Sequence, residues 1–408
     1  MTDIAALRFL VVEDHGFQRW MACNLLQGLG ATAVYSAADG QAALDLLATV
    51  DPPIDLVISD LDMPGMDGME FIRHLGERHA GLSLILMSSL DPAVVASVEG
   101  MTRAYGVHLL GAIEKPANAK RMHAAITRHS IARNSQGPAI DVTAEEIVAG
   151  LRNGEFEPFF QPKVDPRTRE VKGAEAVARW RHPAKGIIAP RSFLAVLEEI
   201  GEVDNLTNTI VAQAARECAR WRAAGVGAGV SVNLALISLA DVSLAERMVA
   251  AVEAEGLEPR HVIFEVTESA ASSEIGKTLE NLSRLRMKGF GLSIDDYGTG
   301  YSSMARLSRI PFTELKIDQS FVKNASSNAA SRAMLESSLE MAVKLRIDAV
   351  AEGVETQVEW DLVRSLDCPL AQGYYIARPM EAARFADWAR RQAYMCRPPF
   401  TERLVPVM

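Results

Sequence analysis

The chain has 408 residues and a formal net charge of −10 at pH 7. That length exceeds one ordinary hydrophobic core and predicts two domains, although a single α/β barrel can take about 250 residues. The acidic balance argues against a DNA-binding protein, because nonspecific nucleic-acid affinity comes from clustered Lys and Arg. Four cysteines lie far apart without a C-x-x-C pair, which indicates reduced thiols and a cytoplasmic protein. No apolar run approaches the roughly 18 residues that span a bilayer, so no membrane partner is expected.

The first part of the chain repeats a pattern of a short apolar strand, a polar residue and a helix. The strands are expected near residues 9–12, 55–59, 82–87 and 109–113. Such alternation predicts a doubly wound, flavodoxin-like parallel sheet, whose functional groups collect at the carboxyl ends of the strands. The polar residues at those ends are Glu13, Asp14, Asp60, Ser88 and Lys115. Three carboxylates, a hydroxyl and a lysine that converge in this way suit one Mg²⁺ and a phosphoryl group.

A change of composition separates the two parts of the chain. Residues 129–142 lose helical periodicity and gather Ser, Asn, Gly and Pro, as linkers do. Thr143 and Glu146 then have the spacing of a capping box and predict the start of a helix. We therefore expect a first domain at 1–130, a linker at 131–142, a second domain at 143–398 and a tail at 399–408.

The second part continues the strand-then-helix pattern for too many units to form a simple open sheet. Strands are expected near residues 156–164, 174–180, 229–234, 262–268, 291–296, 314–318, 349–355 and 373–377. This number of units over some 250 residues predicts a (β/α)8 TIM-like barrel, in which the chemistry lies at the carboxyl-terminal face.

The most informative stretch is I-D-D-Y-G-T-G-Y-S-S at residues 294–303. Adjacent strand residues point to opposite faces, so Asp295 and Asp296 can aim at one spot only if the strand is ending. A divalent cation at that spot would relieve the repulsion between the two carboxylates. A solvated Asp-Asp turn is the alternative for this pair taken alone.

Other polar residues inside the predicted barrel strands point to metal chemistry. They are Gln161, Glu175, Arg179, Asn233, Glu265, Lys316, Glu352 and Gln372. Buried carboxylates need a metal or each other to offset desolvation. Carboxylates and amides suit Mg²⁺ or Mn²⁺, and there is no Cys/His set for zinc. Two such ions together activate a water for phosphodiester hydrolysis.

The first domain resembles the receiver domain of two-component response regulators. The resemblance rests on Glu13-Asp14, Asp60 with the D-M-P-G-M-D-G run that follows, Ser88 and Lys115-Pro116. It implies that a sensor histidine kinase phosphorylates Asp60, that Glu13, Asp14 and Asp60 bind one Mg²⁺, and that Ser88 and Lys115 contact the phosphoryl group as the receiver switch.

One receiver position departs from that pattern. Ala112 stands where receivers usually carry Tyr or Phe, three residues before the lysine, so the usual switching route lacks its aromatic residue. A receiver fold that no longer takes phosphate and serves as a docking surface is the alternative, because fold alone does not establish function.

The second domain resembles the EAL-type phosphodiesterases, which open cyclic di-GMP to linear pGpG. The matching motifs are E-A-V at 175–177, S-V-N-L around Asn233, E-V-T-E at 265–268, D-D-Y-G-T-G-Y-S-S at 295–303, K-I-D at 316–318, E-G-V-E at 352–355 and A-Q-G-Y at 371–374. Val177 and Tyr297 replace the Leu and Phe of the usual motifs, and both keep apolar bulk.

This resemblance assigns a role to each matched residue. One metal would be held by Glu175, Asn233, Glu265 and Asp295, and a second by Asp295, Asp296 and Glu352. Lys316 would position the attacking water, so that Glu175, Lys316 and Glu352 form the catalytic set. Substrate or the ligand shell would be held by Gln161, Arg179, Asn233, Asp318 and Gln372. Glu268 would anchor the 298–303 loop, which lies near the usual contact between copies and implies a homodimer or a higher homo-oligomer.

Taken together, the two resemblances predict a response regulator that hydrolyses cyclic di-GMP to linear 5′-pGpG under the control of Asp60 phosphorylation. The alternative is a catalytically silent cyclic di-GMP receptor that signals through protein partners. All proposed ligands and the lysine are present, which favours the enzyme.

Overall fold

A computed structural model of the chain describes residues 4–79, 82–88, 98, 100–102, 105–115, 117–136, 140–267, 275–298 and 310–395. The chain divides into two compact units, Met1–Pro138 and Ala139–Met408. Among the described residues, no helix combines the length and the apolar character that a bilayer crossing needs.

The first unit is built on a parallel five-stranded sheet in the order β2-β1-β3-β4-β5. Its strands are β1 (Arg8–Val12), β2 (Ala33–Ala37), β3 (Leu56–Asp60), β4 (Ser83–Ser88) and β5 (His108–Glu114). Its described helices are α1 (Gly16–Gly28), α2 (Gly40–Thr49), α3 (Gly68–Arg78) and α4 (Ala119–Gln136). Side chains that alternate along β1 enter two different cores, one containing Phe9 and Val11 and the other Leu10 and Val12. Both faces of the sheet are therefore covered, which explains the continuous apolar strands and confirms the flavodoxin-like prediction.

The strand order of the first unit places a crevice next to β1. The chain passes from β1 to β2 on one side and then to β3 on the other side of β1. In doubly wound sheets, ligands bind where the order of the strands switches in this way. Glu13 and Asp14 follow β1 directly, and Asp60 is the last residue of β3.

The second unit is a closed eight-stranded barrel, as predicted. The sheet runs β6-β14-β13-β12-β11-β10-β9-β7, and β6 also pairs with β7 and so closes the ring. The strands are β6 (Phe156–Val164), β7 (Val171–His182), β9 (Gly229–Asn233), β10 (Val262–Thr267), β11 (Gly291–Tyr297), β12 (Glu314–Ile317), β13 (Asp348–Ala351) and β14 (Leu370–Ala371). A short strand, β8 (Gly186–Ile188), pairs with β7 outside the ring.

The first barrel strand departs from the regular (β/α)8 pattern. β6 runs antiparallel to both β7 and β14. Only residues 165–170 separate β6 from β7, and a parallel pair would need a crossover of a dozen residues or more. The short connection therefore forces a hairpin at the start of the barrel.

Helices surround the barrel and close its core from outside. Their bounds are α5 (Ala144–Arg152), α6 (Leu194–Glu199), α7 (Val203–Ala223), α8 (Leu244–Glu253), α9 (Ile275–Met287), α10 (Gln319–Asn324), α11 (Ala329–Leu345), α12 (Gln357–Ser365) and α13 (Ala382–Met395). The predicted capping box begins α5, where the Thr143 side chain accepts from Glu146 N at 3.2 Å and Glu146 accepts from Thr143 N at 3.0 Å. Phe160 on β6 packs edge-on against Trp221 of α7, with ring centroids 5.0 Å apart.

Candidate functional site

The centre of the barrel site is Lys316, a lysine that is only 1% exposed and is surrounded by four carboxylates. Its Nζ lies 2.7 Å from Oε2 of Glu265 and 2.9 Å from Oδ1 of Asp295. Oε1 of Glu352 is also 2.9 Å away, and Oε2 of Glu175 lies at 3.6 Å. An ammonium group has three N–H donors, so the carboxylates outnumber the donors that the lysine can offer.

The barrel topology brings these residues together from separate strands. Glu175 lies on β7, Glu265 on β10, Asp295 on β11 and Lys316 on β12, while Glu352 directly follows β13. From β7 through β9, β10, β11 and β12 to β13, each strand of the barrel runs parallel to the next. Their carboxyl ends therefore meet at one rim, where barrel enzymes place their chemistry.

The pair Asp295 and Asp296 reaches the rim by a route that the sequence did not predict. The strand does not end at the pair, because β11 continues to Tyr297. Asp296 instead adopts a left-handed backbone with φ of 54°, and the pairing register shifts between Ile294 and Tyr297. Such a bulge re-aims side chains. Asp295, Asp296 and Glu352 consequently offer carboxylate oxygens that all lie within 4.8 Å of one another, an arrangement that could hold a metal ion.

The site has an excess of negative charge. Burial, together with the repulsion from Asp295 and Glu175, outweighs the attraction of Lys316 and raises the pKa of Glu352 to about 8. Burial also raises the pKa of Glu175. Glu265 behaves in the opposite way: burial opposes its ionisation, but the ammonium groups of Lys163 and Lys316 lower its pKa to about 2. The ammonium group of Lys316 thus offsets only part of the negative charge of the rim acids, as expected of residues that hold divalent metals.

Amide side chains complete the rim around Glu175. Gln372 donates to Oε2 of Glu175 at 2.6 Å and to Oε1 of Gln161 at 3.1 Å. Asn233 donates to Oε1 of Glu175 at 3.1 Å. The buried Oε1 of Gln372 has no hydrogen-bond partner, which is costly unless a ligand or an ion satisfies it. The side chains of the rim that could bind a metal are therefore carboxylates and amides, which suit Mg²⁺ or Mn²⁺.

Two predicted substrate residues make local contacts instead of joining the Lys316 cluster. Arg179 donates to the carbonyl of Ala178 at 2.8 Å, and its guanidinium lies 5.8 Å from the centroid of the Phe159 ring. Asp318 caps α10 by accepting from Ser320 N at 2.9 Å. Glu268, the predicted loop anchor, and residues 299–309 of the loop lie outside the described residues.

A second buried lysine, Lys163, was not predicted from the sequence. Its Nζ lies 2.8 Å from Oγ of Ser231, 2.8 Å from Oε1 of Glu265 and 2.6 Å from Oε1 of Glu314. The strand period gave a usable signal, because Lys163 stands two residues after Gln161 and Glu314 two residues before Lys316. Residues at this spacing share a face of the strand.

The first unit contains a smaller acidic pocket at the carboxyl ends of β1 and β3. Nζ of Lys115 lies 2.7 Å from Oε2 of Glu13 and 2.5 Å from Oδ2 of Asp60. Burial disfavours the charged lysine, but these two hydrogen bonds outweigh it and raise the pKa of Lys115. Glu13, Asp14 and Asp60 each offer an oxygen within 4.8 Å of the others. The pocket therefore has the ligands for one divalent ion next to a lysine.

The predicted switch positions are only partly visible. The backbone of Ser88, at the end of β4, pairs in register with Glu114 on β5, while its side chain lies outside the described residues. Ala112 is exposed on β5 and pairs in register with Leu86. An aromatic side chain at this position would start from an exposed site on β5.

Comparison with known families matches residues 144–379 to the EAL domain and residues 9–127 to the response regulator receiver domain. The chain belongs to the EAL domain family. Its EAL domain follows a receiver domain, as in the cyclic di-GMP phosphodiesterase RocR of Pseudomonas aeruginosa, which is 36% identical over 386 residues that cover 94% of this chain and 98% of RocR.

Other relatives match the EAL domain. The oxygen sensor protein DosP of Escherichia coli is 33% identical over 255 residues, which cover 61% of this chain and 32% of DosP. Among solved structures, the PaMucR phosphodiesterase in its c-di-GMP complex is 33% identical with a TM-score of 0.57, covering 59% of this chain and 98% of that one. An EAL domain protein from Listeria monocytogenes is 25% identical with a TM-score of 0.54, covering 61% and 98%.

Proposed function

We propose that the chain is a two-component response regulator whose EAL domain hydrolyses cyclic di-GMP to linear 5′-pGpG, with phosphorylation of Asp60 modulating the rate. The observation that carries the proposal is the set of four carboxylates around the buried Lys316 at the carboxyl-terminal rim of the barrel. The similarity to RocR, named as a cyclic di-GMP phosphodiesterase, extends over both domains and supports it.

The rim residues are suited to hold two Mg²⁺ or Mn²⁺ ions. We assign Glu175, Asn233, Glu265 and Asp295 to the first ion. We assign Asp295, Asp296 and Glu352 to the second. When bound, two such ions activate a water and stabilise both the attacking and the leaving oxygen of a phosphodiester.

The protein's own contribution to hydrolysis is positional and electrostatic. Lys316 is held by contacts to carboxylates on three sides, so its ammonium is a fixed positive charge that can orient the attacking water. Glu175 and Glu352 complete this catalytic set. As the oxygen of water bonds to phosphorus, the bond from phosphorus to the 3′ oxygen breaks. The attacking water loses a proton, the departing 3′ oxygen takes one up and becomes a hydroxyl group, and the new phosphate monoester remains on the 5′ oxygen.

Substrate contacts are assigned to polar residues around the same rim. We propose that Gln161, Arg179, Asp318 and Gln372 bind the nucleotide or brace its ligands, with Asn233 serving both purposes. Arg179 is the cation among them, so it suits a phosphate oxygen. Glu268 retains its predicted role as the anchor of the loop after Gly298.

The receiver domain supplies the proposed control. We infer that a sensor histidine kinase transfers a phosphoryl group to Asp60, that Glu13, Asp14 and Asp60 hold one Mg²⁺, and that Lys115 and Ser88 contact the phosphoryl group. The 2.5 Å contact between Lys115 and Asp60 supports this assignment. We further propose a homodimer or a higher homo-oligomer, which light scattering of the purified protein would measure.

One assay tests the enzymatic proposal. Purified protein is incubated with cyclic di-GMP and Mg²⁺, with and without chelator, and the products are separated by chromatography. We expect 5′-pGpG in the metal-containing sample alone. Binding of cyclic di-GMP without any product would instead support the catalytically silent receptor.

A further inference from the structure

Lys163 is a buried lysine one layer below the rim, and it reaches the rim acids through a hydrogen bond to Glu265. It is 1% exposed, and its three partners are Ser231, Glu265 and Glu314 at 2.8, 2.8 and 2.6 Å. An ammonium group has three donors, so all of them are used. Lys163 therefore meets the rim through Glu265, and its other two contacts, to Ser231 and Glu314, hold it inside the barrel.

Glu265 is shared between the two buried lysines. Its Oε1 accepts from Lys163 at 2.8 Å, and its Oε2 accepts from Lys316 at 2.7 Å. Lys163 therefore fixes one oxygen at the barrel floor and turns the other toward the rim. Glu265 is also held from both sides by the sheet, since it pairs in register with Asn233 on β9 and with Ser293 on β11.

Glu314 balances the charge of Lys163. The two form an ion pair in which both side chains are less than 5% exposed. Without Glu314, the whole positive charge of Lys163 would act on Glu265. The carboxylate of Glu265 would then attract a cation at the rim more weakly. With Glu314 present, the floor pair is neutral and the charge of Glu265 remains available.

We propose that Lys163 and Glu314 are a positioning pair for Glu265, which keeps one oxygen of that carboxylate aimed at the divalent ions of the rim. This inference rests on the proposed metal-dependent function. Contacts that orient a metal ligand typically change metal affinity by about 10- to 100-fold. The pair would thus act on ion binding without touching the nucleotide.

The test measures Mn²⁺ binding to the metal-free full-length protein by calorimetry, in the absence of cyclic di-GMP. The key variant is the double substitution Lys163→Met/Glu314→Gln, which removes one charge of each sign and leaves no buried acid unpaired. Ser231→Ala is the matched control, because it leaves Lys163, Glu265 and Glu314 in place. Glu314→Gln tests the second member of the pair by itself. Thermal unfolding in chelator reports whether each variant folds.

We expect the double variant to unfold within a few degrees of wild type in chelator and to bind Mn²⁺ about 10- to 100-fold more weakly. Ser231→Ala should stay within about threefold of wild type, and Glu314→Gln should weaken Mn²⁺ binding less than the double substitution does. The double variant should lose turnover with little change in KM. Wild-type Mn²⁺ affinity in the double variant would overturn the proposal. So would its failure to fold, which would make the pair a stability element.

The outcomes separate this inference from the proposed function. If wild type binds Mn²⁺ but forms no 5′-pGpG, the proposed hydrolysis is wrong. The positioning role is then decided separately by the Mn²⁺ affinity of the double variant. If wild type binds no Mn²⁺ at all, both proposals are overturned.

Discussion

Nζ of Lys316 lies 2.9 Å from Oε1 of Glu352, and this contact joins β12 to the residue that follows β13. The backbone fixes it, because Glu352 N donates to Ile317 O at 3.1 Å. The next residue, Gly353, has φ of 64°, and a Cβ there would meet Cβ of Gln319 at 2.3 Å. Even so, the lysine does not offset the burial of Glu352, whose pKa is raised to about 8. A divalent ion would supply the missing positive charge.

Glu352→Gln therefore keeps the shape of the side chain and removes the charge that a metal needs. We expect turnover of cyclic di-GMP to fall by at least about 10²-fold, while the nucleotide still binds within about tenfold of wild type. Steady-state rates and equilibrium binding would measure the two effects. Glu340→Gln on the exposed face of α11, where Glu340 pairs with Lys344, is the matched control and should leave turnover unchanged. Near-normal turnover in Glu352→Gln would remove Glu352 from the catalytic set.

The ion requirement follows from the oxygen and amide donors of the rim. We expect Mg²⁺ and Mn²⁺ to support hydrolysis and Ca²⁺ to suppress it, because the larger and looser coordination of Ca²⁺ should misplace the attacking water. Rates measured in each ion after chelation would test this. Equal turnover in Ca²⁺ or in excess chelator would contradict a two-metal site.

Six of the eight predicted barrel strands end within two residues of the observed ones. The other two predictions were wrong: β13 ends at Ala351 and not at residue 355, and the last strand is Leu370–Ala371 and not 373–377. The structure brings Glu175, Glu265, Asp295, Lys316 and Glu352 together, and parallel strands make that convergence a geometric necessity. The roles of these residues came from family resemblance, since a carboxylate at a strand end can cap a helix just as well. Asp318 shows this, because its carboxylate caps α10.

Other features of the site were not predicted from the sequence. Lys163 and Glu314 were overlooked because lysine and glutamate are rarely buried, and only the shared face with Gln161 and Lys316 hinted at their place. The left-handed backbone of Asp296 could not be expected either. Such conformations cost energy for a non-glycine residue, and tertiary structure must impose them.

The backbone beside Gln372 is packed so closely that only glycine fits at the next position. A Cβ on Gly373 would lie 2.1 Å from the carbonyl oxygen of Val354, and backbone cannot yield as a side chain can. Gly373→Ala should therefore lower stability by about 3 kcal/mol or more and displace Gln372, which thermal unfolding and turnover would report. Gly227→Ala, whose Cβ would meet nothing within 4 Å, is the control. Equal stability of the two variants would refute the packing argument.

Glu268 is predicted to act on catalysis at a distance from the metals. The loop that it is expected to anchor follows directly from Asp295 and Asp296, so releasing the loop should loosen both carboxylates. A displacement of about 1 Å would cost about 10²-fold in rate. Glu268→Ala should therefore reduce turnover and raise the Mg²⁺ concentration needed for half-maximal rate. An unchanged rate and Mg²⁺ dependence would argue against the anchor.

The proposed control by the receiver depends on Asp60, whose two carboxylate oxygens both make contacts. Oδ2 contacts Lys115 at 2.5 Å, and Oδ1 accepts from Leu61 N at 2.6 Å. The rim residues of the EAL domain lie on the barrel strands or on the segments that follow them, and none of them comes from the receiver domain. A phosphoryl group on Asp60 can therefore act only by shifting an equilibrium between existing conformations or subunit arrangements. Allosteric couplings are commonly about 1–3 kcal/mol, or roughly 5- to 150-fold. Because Ala112 stands where receivers usually carry the aromatic switch residue, we expect a coupling free energy at the low end of that range.

A small phosphodonor such as acetyl phosphate should raise turnover of the wild-type protein several-fold, in step with the phosphorylated fraction measured by intact mass. Asp60→Asn should take up no phosphate and show no response. Asp62→Asn is the matched control, because Asp62 is exposed only two residues further along and its loss should leave both phosphorylation and the response intact. If Asp60→Asn responds as wild type does, the donor acts elsewhere. If wild type is phosphorylated without any change in rate, the receiver serves assembly or docking and is not the switch.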